Sequence, residues 1–440
     1  MAEDVREPIS ADYVVLGGGI AGVSCAQTLR LLAPDSATIV LVTASEIVKS
    51  VTELTHMTKL LSSFSVMERD AVEWQQENKG VRLVKGVVTG VDKIKKTVSV
   101  SGTGEVRYHK LCVCTGGRPR VLDTENPFVL GIRDTQSVIQ FQDLLKDASR
   151  VVVVGNGGIA TEIVYELDNV DVVWAIKDSS ISSVFLDAGA GEFLTQRLAK
   201  NSTSEDKKNK PTKRMKYSVD KDGDAGFLGS ALGPDWHKGF STQGMASGKS
   251  VKIEYKVEIE KILTPEKYRA SRLEEDPINT GTTDWNVYVK LSNGLMYGCD
   301  LIISATGVSP AGALYKEAVE VDDEGGLVVN DNMRTSDGDI YAAGDICSAS
   351  WAQADHWMQM RLWTQARQMG MMAARAMVAH TEGEEIQLDF CFEMFAHVTK
   401  FFDYKVVLLG LFNGQKLDNQ YEVLLRVTPE VEYVKVNRKI

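Results

Sequence analysis

Gly17, Gly19 and Gly22 stand in the spacing Gly-x-Gly-x-x-Gly, directly after the apolar run at residues 13–16. That spacing suits one task, holding a dinucleotide by its pyrophosphate. The first glycine permits a tight turn, the second lets the backbone approach the phosphates, and the third lets helix and strand pack closely. The phosphates then face the free N–H groups at the positive end of a helix. Alone the pattern is weak, because glycines also punctuate ordinary turns. A second copy strengthens it: residues 151–154 are four valines, followed by Gly155, Gly157 and, in the third small position, Ala160. Residues 110–119 and 300–310 each carry an apolar strand pattern into Thr-Gly, at Thr115-Gly116 and Thr306-Gly307. Small residues there let the backbone lie against a cofactor. A fifth signal, residues 335–347, ends its strand pattern at Gly344-Asp345.

Other reactive side chains are less suggestive. The six cysteines form no Cys-x-x-Cys pair, which predicts free thiols in a reducing intracellular compartment. Cys112 and Cys114 lie two apart on one expected strand, so they share a face inside the sheet, a poor place for an exchangeable disulfide. Small buried packing residues is the plainer reading of that pair. Histidines, cysteines and carboxylates show no metal-ligand spacing. The strand pattern at 38–42 ends at Thr43, with Glu46 only close by, where an acid would hold an adenine ribose. The strand at 170–176 ends at Lys177-Asp178. The lysine suits a 2′-phosphate and the aspartate a ribose hydroxyl, and both readings stay open.

These residues need a scaffold larger than one core. The chain has 440 residues, which predicts two or three domains. Hydrophobic residues make up 44%, enough for ordinary globular burial. Acids outnumber bases 60 to 49, a net charge of -11, which argues against direct nucleic-acid binding across the surface. No apolar run approaches the roughly 20 residues that cross a bilayer, and residues 1–10 do not read as a secretory signal. Residues 82–100 alternate like paired strands, and Asn293-Gly294 marks a hairpin between 285–291 and 295–297. Residues 200–250 break the pattern as a polar insertion. Within it, 207–216 reads as a solvated loop or as a basic localisation or RNA-touching patch, and 230–236 as a less polar docking segment. A helix is expected over 360–377 and a last set of strands over 390–410. The chain stops at 435–440 inside a strand pattern, which predicts an incomplete last unit.

The ordered set GGGIAG, CTGGRP, GNGGIA, SATGVSP and YAAGDIC resembles the pyridine nucleotide-disulphide oxidoreductase superfamily, over nearly the whole chain outside the insertion. The resemblance implies an α/β fold with two Rossmann-like dinucleotide-binding domains, the NAD(P) domain inserted in the FAD domain, plus a small α+β C-terminal domain. The implied division is 1–125 and 299–380 for FAD, 126–298 for NAD(P), and 385–440 for the last. It implies FAD cradled by Gly17, Gly19 and Gly22, with the Val88 backbone beside adenine and Thr115 and Gly116 packed on the cofactor. Gly344 would lead to Asp345, which accepts from the ribityl chain, and Ile346 would open a helix aimed at the flavin. Asp345 as a simple helix cap is the plain alternative. Lys49 would neighbour the isoalloxazine, or simply be a solvated lysine. NAD(P)H would be the co-substrate, on Gly155, Gly157 and Ala160, with Glu162 on the nicotinamide side and Gly307 lining the cleft.

Disulphide reductases of this family need a cysteine pair beside the flavin, near the second helix of the first unit. Residues 47–61 contain no cysteine, so the expected activity is an FAD-dependent NAD(P)H oxidoreductase that passes hydride to flavin and then to an external acceptor. Cys347 is expected to be the thiol nearest the ring. Trp351, Trp357 and Trp363 would either wall the flavin or pack in a core. The stretches GNGGIATEIVYEL, WAIKD, SALGPDWH, RLWTQARQMG and FAHVTKFFDYKVVLLG resemble one branch of the family more closely. That likeness implies protection of the tRNA ligase complex from oxidation, in nucleus and cytoplasm. The alternative is an NAD(P)H-responsive sensor or docking module with little turnover.

Overall fold

The structure, a computed structural model, describes residues 9–56, 58, 61–133, 135–201, 241–271, 285–418 and 420–440. The expected basic patch at 207–216 and the docking segment at 230–236 lie outside the described residues.

Strand Ile9–Leu16 is continuously apolar from Val14 onward and buried on both faces, as a central parallel strand must be. It pairs in parallel with Ile39–Thr43 on one side and Gly104–Val113 on the other. Val81–Lys85 extends the sheet beyond Ile39–Thr43, while Thr97–Val100 and Val88–Asp92 extend it antiparallel from the other edge. The chain returns to this sheet much later: Ile340–Ala342 pairs in parallel with Leu111, Cys112 and Val113. Helix Ile20–Leu32 covers one face and packs against helix Trp363–Glu382. The two helices touch at the backbone, since a Cβ on Gly370 would stand 2.2 Å from the Ala21 carbonyl oxygen.

A second parallel sheet runs in the order Val129–Leu130, Leu301–Ser304, Arg150–Val154, Asp171–Ala175, Ser250–Glu254. Its middle strands are again buried on both faces. The last part of the expected insertion is docked onto this unit: the Gly244 and Ala246 N–H groups donate to the Asp168 and Asn169 carbonyls at 2.9 and 2.7 Å. A three-stranded antiparallel sheet follows, with Val287–Leu291 between Ile259–Leu263 and Met296–Cys299. Its second turn closes at Gly294, φ +88°, a left-handed position that suits glycine. Strands Gly117–Pro119 and Val308–Pro310 pair and tie the two parallel sheets together.

Two local expectations change. Residues 47–70 form a hairpin, Ile47–His56 against Ser62–Asp70, where a helix was expected beside the flavin. The run Ile47, Val48, Val51, Thr52, Thr55 is β-branched, which favours strands. Ile346 does not open a helix: the chain continues into strand Cys347–Ala349, paired with Leu327–Val329. The helix that does point toward the cleft begins at Trp363. Near the C-terminus, Ala396–Phe401 and Tyr404–Leu409 form a hairpin, turned by Phe402 and Asp403 at φ +50° and +68°. A second hairpin joins Tyr421–Thr428 to Glu432–Lys439.

Candidate functional site: two glycine loops facing one cavity

The two glycine loops are built alike. Gly17 and Gly155 have φ of +115° and +123°, and a Cβ on either would collide with a neighbouring carbonyl, 2.4 Å from Cys114 O and 2.2 Å from Ala305 O respectively. Those neighbours belong to the two Thr-Gly stretches, so each loop is pressed against its own small-residue turn. A Cβ on Gly22 would stand 1.9 Å from the Gly17 carbonyl oxygen, which forces glycine where helix meets loop. Ala160, fully buried, fills the matching place in the second loop.

Gly19 and Gly157 differ from the others. They are the N-cap residues of helices Ile20–Leu32 and Gly158–Glu166, with φ of -76° and -87°. Any residue can adopt such angles. A Cβ at either would meet nothing within 4 Å. Neither helix has a side-chain cap or an acid in its first turn, although serine, threonine, aspartate or asparagine would be the favoured caps. Among the described residues, each helix therefore starts at the loop without a side chain over its first N–H groups.

Both cradles open on one cavity of about 1050 Å³. Gly17, Gly19, Val88, Thr115, Gly116, Gly155, Gly157, Glu162, Lys177, Gly307, Gly344 and Asp345 all line it. Gly22 and Ala160 sit behind the loops. Lys49 does not line the cavity either: its buried ammonium pairs with Glu68, which also accepts from the Thr135 hydroxyl. The Lys49 backbone N–H donates to Gly18 O at 2.9 Å and braces the first loop. Asp345 faces the cavity; burial pushes its carboxyl up, while the charges of Arg133 and Arg361 pull it down. The Asp178 carboxylate accepts from Asn156 Nδ2 at 2.8 Å, so the second loop holds it in place, and Lys177 beside it is exposed.

The cavity also collects residues that the sequence reading missed. Arg118, Arg120, Arg133 and Arg361 bring positive charge to the wall of a net acidic chain. Arg118 and Arg120 follow the CTGG turn directly, a signal that was in plain view. Trp363 lines the cavity, whereas Trp351 and Trp357 pack on each other and on Phe392. The lining cysteine is Cys114 rather than Cys347. Its Sγ lies 3.5 Å from Cys112 Sγ. Contact with Cys112, then burial, raises the Cys114 thiol well above its ordinary value, and burial does the same to Cys347. Neither is a ready thiolate. His397 also lines the cavity, with burial driving its pKa down to about 3.

Comparison with known proteins agrees with this geometry. The pyridine nucleotide-disulphide oxidoreductase family matches residues 11–213 and 258–370. The rat (Rattus norvegicus) pyridine nucleotide-disulfide oxidoreductase domain-containing protein 1 is 44% identical over 439 residues, covering 96% of this chain and 88% of its own. The human (Homo sapiens) protein of the same name is 42% identical over 444 residues, covering 98% and 88%. In fold, the chain is similar to the crystal structure of the covalent putidaredoxin reductase–putidaredoxin complex, with a TM-score of 0.65 at 16% identity over 98% of this chain and 87% of that one. The described helices include none long and apolar enough to cross a membrane. The chain belongs to the pyridine nucleotide-disulphide oxidoreductase family and is an NAD(P)H-dependent oxidoreductase.

Proposed function

We propose that this chain is an FAD-dependent oxidoreductase that takes hydride from NAD(P)H and hands the electrons to an external acceptor without a redox-active cysteine pair. The observation that carries this reading is the pair of bare N-caps. Neither strain nor packing among the described residues requires glycine at Gly19 or Gly157: their angles are ordinary, a Cβ would meet nothing within 4 Å, and a side-chain cap is absent. A pyrophosphate laid across each helix N-terminus supplies the reason for glycine.

In this assignment Gly17, Gly19 and Gly22 hold the FAD pyrophosphate, Val88 backs the adenine, and Thr115, Gly116, Gly344 and Asp345 hold the middle of the cofactor. Gly155, Gly157 and Ala160 hold NAD(P)H, with Glu162 and Gly307 toward the nicotinamide and Lys177 and Asp178 at the ribose. Lys49 acts through the first loop it braces. FAD, when bound, supplies the hydride acceptor; the protein contributes orientation and electrostatics. Cys114 reaches the cavity wall with Cys112 buried behind it, and both thiols are raised well above their ordinary value; this supports electron exit to a second substrate, because attack on a disulfide needs an accessible thiolate. Protection of a tRNA ligase complex in nucleus and cytoplasm rests on the resemblance alone and is tested by co-purification of the ligase from both compartments.

The direct test is an anaerobic NADH titration of the purified protein followed by air. Flavin absorbance should bleach with NADH and return on turnover with oxygen or a quinone. A colourless protein that FAD does not reconstitute overturns the reading. A reduced flavin that persists in air and quinone favours the sensor alternative.

A further inference from the structure

Strand Ala396–Phe401 turns alternate residues to opposite sides. Ala396 and Val398 pack on Leu61, while His397, Thr399 and Phe401 line the cavity. Phe185 and Trp363 stand with them: the Trp363 ring lies 4.8 Å from that of His397, and the Phe185 ring 5.4 Å from that of Phe401. A Cβ on Gly158 would lie 3.4 Å from Phe185 and 3.8 Å from Phe401, so this aromatic wall abuts the second glycine loop.

Inside the wall sit two polar groups, and the hydrogen bonding of one of them is incomplete. His397 is 1% exposed; its Nδ1 meets the Thr364 hydroxyl at 3.0 Å, and its buried Nε2 has no partner among the described residues. Thr399, 6% exposed, lines the cavity on the same face of the strand. A buried polar atom without a partner is costly and is kept where a ligand completes it. In the tautomer whose Nδ1 accepts from the Thr364 hydroxyl, the neutral ring carries its proton on Nε2 and offers a donor to a carbonyl oxygen.

We propose that His397 and Thr399, set between Trp363, Phe185 and Phe401, form a slot that selects a planar ring bearing a carbonyl group. This rests on the oxidoreductase reading above and adds to it the residues that choose the reacting ring. Two sources share that chemistry: the carboxamide-bearing nicotinamide and a quinone acceptor. Aromatic walls suit a flat ring, and two uncharged hydrogen-bonding groups suit a carbonyl rather than a phosphate or carboxylate.

The test uses His397→Leu and Thr399→Val in the flavin-loaded protein, with melting temperature and FAD content measured first. Binding of NAD+ and of a water-soluble benzoquinone is followed by tryptophan quenching. Stopped-flow kinetics give the second-order constants for flavin reduction by NADH and for reoxidation by the quinone and by oxygen. We expect a loss of fivefold or more in affinity and rate constant for one ring, with oxygen, which has no carbonyl to bind, unchanged within twofold. Loss in the NADH arm identifies nicotinamide as the occupant; loss in the quinone arm identifies the acceptor. Both rings within twofold of wild type in both variants overturns the slot. Should His397→Leu fail to fold, the near-isosteric Thr399→Val decides alone. Wild-type protein without FAD overturns the oxidoreductase reading, while the binding arm still reports on the slot.

Discussion

Gly157→Ala separates a glycine needed for folding from a glycine needed for a ligand. At φ -87° with nothing within 4 Å of the added Cβ, alanine meets neither strain nor collision. Restricting the unfolded chain favours the variant by about 0.4–1 kcal/mol. Alanine is a poorer N-cap than glycine, which works the other way. The net change in stability should stay within about 1 kcal/mol, a shift of a few °C in melting temperature. In the complex the methyl enters the space assigned to the pyrophosphate. Overpacking of that kind costs about 1–3 kcal/mol, or roughly 5- to 150-fold in affinity at 1.36 kcal/mol per tenfold. The assay is the concentration dependence of anaerobic flavin reduction by NADH, beside thermal melts. Gly155→Ala is the contrast: its φ is +123° and its Cβ would lie 2.2 Å from a carbonyl oxygen, so it should lose stability as well as NADH binding. A Gly157→Ala protein that folds normally and binds NADH within twofold of wild type would refute the assignment of this loop.

Gly22→Ala, whose Cβ would stand 1.9 Å from Gly17 O, should lower stability by about 1–3 kcal/mol and shed FAD, read from melting temperature and the ratio of flavin to protein absorbance. Asp345→Ala removes the carboxylate facing the cavity and should weaken FAD binding by roughly 1.5–3 kcal/mol, measured by FAD titration of the apoprotein. Cys112→Ser, Cys114→Ala and Cys347→Ser should leave NADH-dependent flavin reduction within about twofold of wild type apart from a packing cost; catalytic glutathione disulfide reduction lost in any of them would contradict an exit route free of cysteine. His397 should add acid sensitivity. Its folded pKa of about 3 lies below the ordinary 6.5, so the unfolded chain binds the extra proton between those values. Stability from this group is full above pH 6.5 and falls as pH drops toward 3, by up to about 3 kcal/mol at pH 4; urea melts of His397→Leu should show a correspondingly shallower acid loss.

What could be read from the sequence followed from local chemistry. The glycine spacings, the four-valine strand, the Thr-Gly turns and the Asn-Gly hairpin each describe contacts made within a few residues or at a fixed place in a repeated unit. Lys49 was harder, because its partner Glu68, which also accepts from the Thr135 hydroxyl, comes from the other strand of a hairpin. Nothing near Lys49 in the chain says that its ammonium is already engaged. The same holds for thiol access. Cys347 follows the Gly-Asp turn, yet it opens the strand Cys347–Ala349, and the alternation of a strand decides which side chains reach the cavity. Cys114 reaches it because it lies just past the strand end at Val113, where the backbone opens into the Thr-Gly turn. His397 shows the limit most sharply. Its strand alternation was legible and places residues 397, 399 and 401 on one face. What that face meets was not, since Phe185, Trp363 and the second glycine loop arrive from three distant parts of the chain. Local pattern thus locates the two glycine cradles, whose geometry is backbone geometry, and misses the aromatic and polar wall of the cavity, which is assembled from side chains brought together only by the tertiary fold.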